Sequence, residues 1–212
     1  MLRGGKAEKL FARCLEETIR DARDILDIGT SMRFAKELRP HEQLFKDKKY
    51  VAAGYKPLMI YGSNNCDCHQ DIQHMTFDDN SFDAVLCIQV LEHVANPFLA
   101  ADEILRVLRP NGTLLVTVPF LAQYHGKQAE AYSPDHEHYP DFWRFTHQGL
   151  EELFCKFQNI RVYSLDGPIE FRLKQFYLEP ILAWAPLRAF VDWIDRPRTG
   201  KATTRHMLLA KK

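Results

Sequence analysis

Glycine and polar residues stand at the ends of several apolar runs of the sequence, where a bound molecule could be reached. They include Asp27, Gly29, Thr30 and Ser31 after the first run, Gly54 and Tyr55 after the second, and Asp71 and Gln89 further along the chain. In an open parallel sheet, ligands bind beyond the carboxyl ends of the strands, where the topology changes direction. Small and hydrogen-bonding residues at four such ends favour a nucleotide-like ligand that lies across the sheet edge.

These residues need strands to position them, and the apolar runs predict those strands. Near-continuous apolar runs are typical of strands that helices cover on both faces, as in a parallel sheet. The predicted strands are Asp24–Gly29, Tyr50–Ala53, Asp83–Val90, Thr113–Val118, Asn159–Leu165 and Thr203–Ala210.

Helices alternate with these strands. Apolar residues at helical spacing predict a helix over Lys6–Arg20. Asn96 and Pro97 provide a cap and a first position for a second helix, which we expect to continue until Pro110. Thr146 is expected to cap a third helix that reaches Phe157. Alternation of this kind predicts a doubly wound α/β sheet.

Length and composition limit the classes of protein to which this sequence can belong. The chain of 212 residues suits a single α/β domain, 1–212. Its 28 Lys and Arg balance 28 Asp and Glu, so it lacks the positive field typical of a nucleic-acid-binding protein. No apolar run reaches the ~20 residues that span a bilayer. Five scattered cysteines and a polar start predict a cytoplasmic protein.

The middle of the sequence resembles the class I S-adenosylmethionine-dependent methyltransferases. The resemblance is strongest over Asp71–Phe120, which reads DIQHMTFDDNSFDAVLCIQVLEHVANPFLAADEILRVLRPNGTLLVTVPF. It includes the S-F-D, L-E-H-V and E-I-x-R-V-L-x-P-x-G patterns of that family. The resemblance implies a Rossmann-like, seven-stranded, mostly parallel sheet with the last strand antiparallel beside the fifth.

The same resemblance implies S-adenosylmethionine as the cofactor. We expect it over Gly29–Ser31, with Asp71 and Ile72 near the adenine and Gln89 on the methionine side. Asp83 in the S-F-D turn is interpreted as a structural residue at a strand start. We predict no metal site.

Two features of the first half depart from the family. The usual Gly-x-Gly-x-Gly loop reads Gly29, Thr30, Ser31, Met32, Arg33, and Arg33 brings bulk to a place where backbone normally approaches the ligand. The acidic residue that bonds the ribose in the family is missing after the second strand. An alternative interpretation is therefore a catalytically inactive binding or scaffold protein with the methyltransferase fold.

The acceptor is expected to be a small molecule, such as a sugar or a sugar-linked metabolite. In the family the loop after the fifth strand covers the acceptor, and here it contains Tyr124, His125 and Arg144. We predict Tyr124 and Arg144 as substrate-binding residues and His125 and His93 as candidate general bases. His93 and Glu92 also have a structural interpretation, as packing residues at the start of a helix.

A hydrophobic insertion at about 168–198 precedes the last strand and lies outside the resemblance. It could form helices that cover the core, a homodimer surface, or a peripheral contact with a membrane or a lipid-linked substrate.

Overall fold

In the computed structural model, the described residues are 5–30, 34–55, 66–122, 124, 140–165, 186–187, 190–191 and 203–212. The insertion at about 168–198 therefore lies outside the described residues except at four positions. No helix in the described part of the chain is long and apolar enough to cross a membrane.

The described strands form one seven-stranded sheet in the order β3-β2-β1-β4-β5-β7-β6. The helices are α1 (Lys6–Ile19), α2 (Pro97–Val107) and α3 (His147–Leu153), with 3-10 turns at Arg39–Phe45 and Leu91–His93. The strands are β1 (Asp24–Ile28), β2 (Lys49–Gly54), β3 (Cys68–His69), β4 (Phe82–Ile88), β5 (Leu108–Pro119), β6 (Gln158–Ser164) and β7 (Arg205–Lys211).

The strand directions confirm the predicted mixed sheet. Strands β3, β2, β1, β4 and β5 pair in parallel, and β7 pairs antiparallel with both β5 and β6. Leu115 of β5 lies opposite Leu209 of β7, for example. This is the α/β, Rossmann-like arrangement that the resemblance implies.

Two hydrophobic clusters cover the two faces of the sheet. One cluster packs α2 and α3 against residues such as Val85 and Val116, and the other packs α1 against residues such as Leu86 and Leu115. Adjacent residues of one strand thus face opposite clusters, as the pleat requires. Burial on both faces explains why these strands have near-continuous apolar sequences.

Two predicted helix ends are too late. Helix α2 ends at Val107 instead of Pro110, because Leu108 is already extended and pairs with Phe82 of β4. Helix α3 ends at Leu153 instead of Phe157, and Phe154 is fully buried with its ring against Phe157. Phe154 and Phe157 are three residues apart, which is also a helical spacing, so the sequence predicted a longer helix although both residues lie in the turn after α3.

The predicted helix starts are confirmed by their caps. The side chain of Asn96 accepts hydrogen bonds from the backbone N–H groups of Phe98 and Leu99. That of Thr146 accepts one from Gly149 at 3.0 Å. These caps satisfy donors that a helix leaves without partners, and they fix where α2 and α3 begin at the carboxyl edge of the sheet.

Candidate active site

A cavity of about 380 Å³ opens at the carboxyl ends of β1 and β4. This volume is within the range usual for small-molecule sites. Six of the residues predicted for the site line it together, namely Gly29, Tyr55, Asp71, Ile72, Gln89 and His93. Apolar side chains, including Ile28, Val90 and Phe142, complete its walls.

Gly29 lets the backbone turn sharply at the end of β1. Its φ is +86°, a conformation that residues with a side chain rarely adopt. Its N–H donates to the carbonyl oxygen of Ala53 at 2.7 Å, and a Cβ placed on it would lie 2.4 Å from Cγ2 of Val90. The cavity wall formed by Val90 therefore requires glycine at this position.

Asp71 reaches the cavity from a turn that follows the short strand β3. The carbonyl of Gly54 accepts a hydrogen bond from Gln70 at 2.7 Å, which ties the start of this turn to β2. The Oδ1 atom of Asp71 accepts from the backbone N–H of Gln73 at 2.9 Å. Among the described residues that line the cavity, Asp71 is the one carboxylate.

Gln89 follows β4 directly and has a left-handed backbone, with φ of +54°. Its N–H donates to the carbonyl oxygen of Thr117 at 2.9 Å, and its Nε2 lies 3.3 Å from Oγ1 of the same threonine. These bonds to β5 hold Gln89 at the cavity wall despite a backbone conformation that is costly for a residue with a side chain.

Three other predicted cofactor residues do not line the cavity. Asp27, in β1, is 1% exposed, and its carboxylate accepts a hydrogen bond from the Tyr50 hydroxyl. Burial raises the pKa of Asp27 to about 7, against the opposing effect of the Tyr50 hydrogen bond. Thr30 and Gly54 are buried beside the same strand ends. Ser31 lies outside the described residues.

The predicted acceptor residues are less completely described. Tyr124 is 58% exposed. Arg144 donates to both carboxylate oxygens of Asp141, at 2.5 and 2.6 Å, and does not line the cavity. His125 lies outside the described residues. The structure thus gathers the predicted cofactor residues more fully than the predicted acceptor residues.

Segment 140–143, at the end of the loop that was predicted to cover the acceptor, forms one wall of the cavity. The N–H groups of Phe142 and Trp143 donate to the carbonyl of Glu92, at 2.7 and 3.3 Å. Nε1 of Trp143 donates to the carbonyl of Val94 at 2.8 Å. The aromatic cluster DFWRF was the one signal in the sequence, but it does not distinguish Phe142, which lines the cavity, from Phe145, which is in the core.

A larger hollow, of about 760 Å³, lies at the amino ends of the strands. Its charged groups serve structure: Arg109 bridges Asp24 and Asp83, at 2.8 and 2.7 Å, and Arg161 pairs with Glu17. Asp83 also accepts hydrogen bonds from the N–H groups of two residues at the start of β1. These contacts agree with the structural interpretation of Asp83.

Comparison with known proteins agrees with this geometry. Residues 26–116 match the family model described as a methyltransferase domain. The matched segment is similar to methyltransferase domains and comprises 91 of the 212 residues of the chain. The matched segment contains Asp27, Gly29, Asp71, Gln89 and His93, and thus most of the residues that line the cavity described above.

Similarity to individual proteins is partial in sequence and extensive in fold. Demethylmenaquinone methyltransferase of Clavibacter sepedonicus is 44% identical over 48 residues, which are 23% of this chain and 20% of that enzyme. A SAM dependent methyltransferase from Archaeoglobus fulgidus has a TM-score of 0.58 at 13% identity, over 97% of this chain and 94% of that chain. Phosphoethanolamine N-methyltransferase 2 of Haemonchus contortus, in complex with S-adenosyl-L-methionine, has a TM-score of 0.53 at 17% identity, over 95% of this chain and 52% of that chain.

The matched segments cover 21%, 20% and 31% of the length of three curated relatives. At 13% and 17% identity, the likeness to the two solved structures shows the fold alone.

Proposed function

We propose that the protein is a class I methyltransferase that binds S-adenosylmethionine in the cavity at the carboxyl edge of the sheet and transfers its methyl group to a small molecule. The observation that carries the proposal is the convergence of Gly29, Asp71 and Gln89 on one cavity of about 380 Å³. The family match over residues 26–116 supports the same cofactor.

The donor and acceptor groups of the cavity fit this cofactor. The Asp71 carboxylate can accept from an exocyclic amino group, with the apolar side chain of Ile72 beside it. Gln89, on the other wall, offers an amide to the methionine end. Gly29 has no side chain, and none could be accommodated there, so a ligand can lie close to the backbone at this position. When bound, the cofactor supplies an activated sulfonium methyl group.

The protein's part in such a transfer is mainly alignment and exclusion of water. Segment 140–143 covers the cavity next to His93, and its hydrogen bonds to Glu92 and Val94 hold it in place. An acceptor that enters beside Gln89 and His93 would have its reacting atom near the methyl group. His93 and His125 remain our candidates for removing the acceptor's proton.

The acceptor is proposed to be a small hydroxylated molecule, such as a sugar or a sugar-linked metabolite. The described lining of the cavity combines aromatic and hydrogen-bonding side chains, including Tyr55, Phe142 and Gln89, which suits a small hydroxylated acceptor. Tyr124 and Arg144 are its proposed contacts. The free cysteines of the described residues suit a reducing cytoplasm.

Calorimetric titration with S-adenosylhomocysteine tests the cofactor proposal. We expect a dissociation constant in the micromolar range or below, about −8 kcal/mol. Absence of binding at millimolar ligand would favour the inactive scaffold. The variant Arg33→Gly is a useful companion, because it should tighten binding if the arginine in the loop weakens it and leave binding unchanged if the loop is already competent.

Turnover of an acceptor tests the catalytic assignment. A screen of metabolite extracts with labelled S-adenosylmethionine should identify a methylated product. With that acceptor, His125→Ala should lower turnover by about a hundredfold without changing cofactor binding. Activity that survives the substitution would leave His93 as the candidate base.

A further inference from the structure

Glu92 is a buried carboxyl group that the family motif alone does not explain. It is 0% exposed, in the 3-10 turn Leu91–His93, and neither of its carboxyl oxygens has a hydrogen-bond partner among the residues that the structure describes. Its backbone carbonyl, not its side chain, receives the hydrogen bonds that hold segment 140–143. Burial of a polar group without a partner is costly, so an apolar residue would serve packing better.

The side chain of Glu92 lies beside the ring of His93. The distance between Oε1 of Glu92 and Nε2 of His93 is 3.8 Å. On the other side of the ring, Nδ1 lies 2.5 Å from the carbonyl oxygen of Pro140. Because a carbonyl oxygen can only accept, Nδ1 carries the proton in the neutral ring, and Nε2 is the basic nitrogen.

The surroundings of Glu92 favour the protonated form of its carboxyl group. Burial is the main cause and raises the pKa of Glu92 to about 8. Of the charged residues that face it, Asp141 and Glu37 also raise this pKa and Arg144 lowers it. Asp141 and Arg144 form an ion pair with each other, so their effects largely oppose. The buried thiol of Cys87 is a further titratable neighbour.

We propose that Glu92 is a positioning residue for His93, and that the two side chains form one proton-binding pair in the wall of the cavity. This inference rests on the proposed methyl transfer, which would use the pair to take up the proton of the acceptor. That proton passes to Nε2 of His93, and the acceptor's freed electron pair forms the bond to the methyl carbon. The electron pair of the broken carbon–sulfur bond stays on sulfur.

Glu92 assists this proton uptake because its carboxyl group ionises more readily once His93 beside it has become an imidazolium. Proton uptake at Nε2 therefore promotes release of the Glu92 proton to solvent, and the pair ends as imidazolium and carboxylate. The acceptor's proton is thus balanced by one proton released, and no unpaired charge is left in the wall. A residue that only filled space behind His93 would not change how the ring titrates.

The test is an NMR titration of the His93 ring between pH 5 and 10. Its signals are assigned by their loss in His93→Gln among the nine histidines of the chain. In the wild type we expect two inflections, one of them near pH 8, because coupled groups titrate as a pair. In Glu92→Gln the inflection near pH 8 should vanish, because the amide does not ionise.

The control is Asp102→Asn, which removes one carboxylate from the exposed side of α2, where it pairs with Lys156. It should titrate like the wild type. Identical His93 curves in the wild type and Glu92→Gln would overturn the proposal. If Glu92→Gln does not fold, Glu92→Met replaces it, since an apolar side chain of similar size needs no partner.

Titration with S-adenosylhomocysteine on the same samples separates the two proposals. A changed His93 curve without any ligand binding would refute the proposed function but retain the Glu92–His93 pair. Ligand binding with unchanged His93 curves would refute the pair and retain the function.

Discussion

A Cβ atom on Gly29 would lie 2.4 Å from Cγ2 and 2.7 Å from Cγ1 of Val90. Gly29 follows β1 and Val90 follows β4, so the side chain of Val90 lies close to the backbone of Gly29 at the point where the cavity opens. The parallel pairing of β1 with β4 prevents Gly29 and Val90 from moving apart to make room for such a Cβ atom. The packing of this one pair therefore ties the stability of the sheet edge to the shape of the candidate site.

Gly29→Ala should lower both stability and cofactor affinity. The new methyl group meets Val90, and the φ of +86° is unfavourable for alanine, so we expect a loss of about 2 kcal/mol or more in the free energy of unfolding. Urea denaturation measures it, and S-adenosylhomocysteine titration should show weaker binding. Gly149→Ala is the control. Gly149 lies in α3, and a Cβ there would meet one side-chain atom, the Thr146 hydroxyl oxygen at 3.2 Å, so the substitution should cost much less. Equal stability of Gly29→Ala and wild type would contradict this account.

Asp71→Ala should weaken S-adenosylhomocysteine binding about ten- to a hundredfold. The substitution removes a charged acceptor worth about 1.5–3 kcal/mol. Asp71→Asn removes the charge but keeps the turn, because the Oδ1 atom of asparagine can still accept the hydrogen bond from the N–H of Gln73. We expect it to bind between the wild type and Asp71→Ala. Asp78→Ala, on the exposed surface of the same segment, should bind normally. Calorimetry that shows equal affinity for all four proteins would remove Asp71 from the site.

Asp83→Ala should destabilise the fold and leave ligand binding intact. Asp83 accepts from the N–H groups of Arg23 and Asp24, each at 2.9 Å, and from Arg109 at 2.7 Å. Loss of these partly exposed hydrogen bonds should cost about 1–2 kcal/mol in urea denaturation. Asp79→Ala, which breaks a more exposed ion pair with Arg106, should cost under about 1 kcal/mol. A change in ligand affinity without a change in stability would contradict the structural role.

His206 should make the protein less stable in acid. Burial, with a smaller contribution from His147, lowers the pKa of His206 to about 4 from its ordinary 6.5. Between those two values the unfolded chain binds more protons than the folded chain, so the free energy of unfolding falls as the pH is lowered from 6.5 to 4. The contribution of this group is at most about 3 kcal/mol.

The measurement compares urea denaturation of the wild type and His206→Asn at several pH values in that window. Asp27 and Glu92 have raised pKa values and act in the opposite direction, but they are present in both proteins. The difference between the two proteins should therefore narrow as the pH falls. A constant difference would mean that His206 does not titrate as its burial implies.

The amino-acid sequence by itself determined the alternation of strands and helices and the start of each capped helix. These features depend on neighbours in the chain: apolar runs such as Asp83–Val90, and caps such as Asn96, act within a few residues. The resemblance over Asp71–Phe120 supplied the strand directions, which alternation alone does not specify. The ends of α2 and α3 were missed because extended pairing at Leu108 and burial of Phe154 come from contacts made far along the chain.

Only the tertiary structure decided which polar strand ends meet at the cavity. Asp27 and Asp71 were equal candidates in the sequence. In the structure the carboxylate of Asp27 accepts a hydrogen bond from the Tyr50 hydroxyl away from the cavity, whereas the turn after β3 brings Asp71 to the cavity wall. The role of Glu92 was similarly ambiguous in the sequence, because only the structure shows that segment 140–143 packs there through hydrogen bonds to the Glu92 backbone carbonyl. Burial of a side chain depends on strand register and on segments dozens of residues away, and such contacts leave no periodic pattern in the sequence.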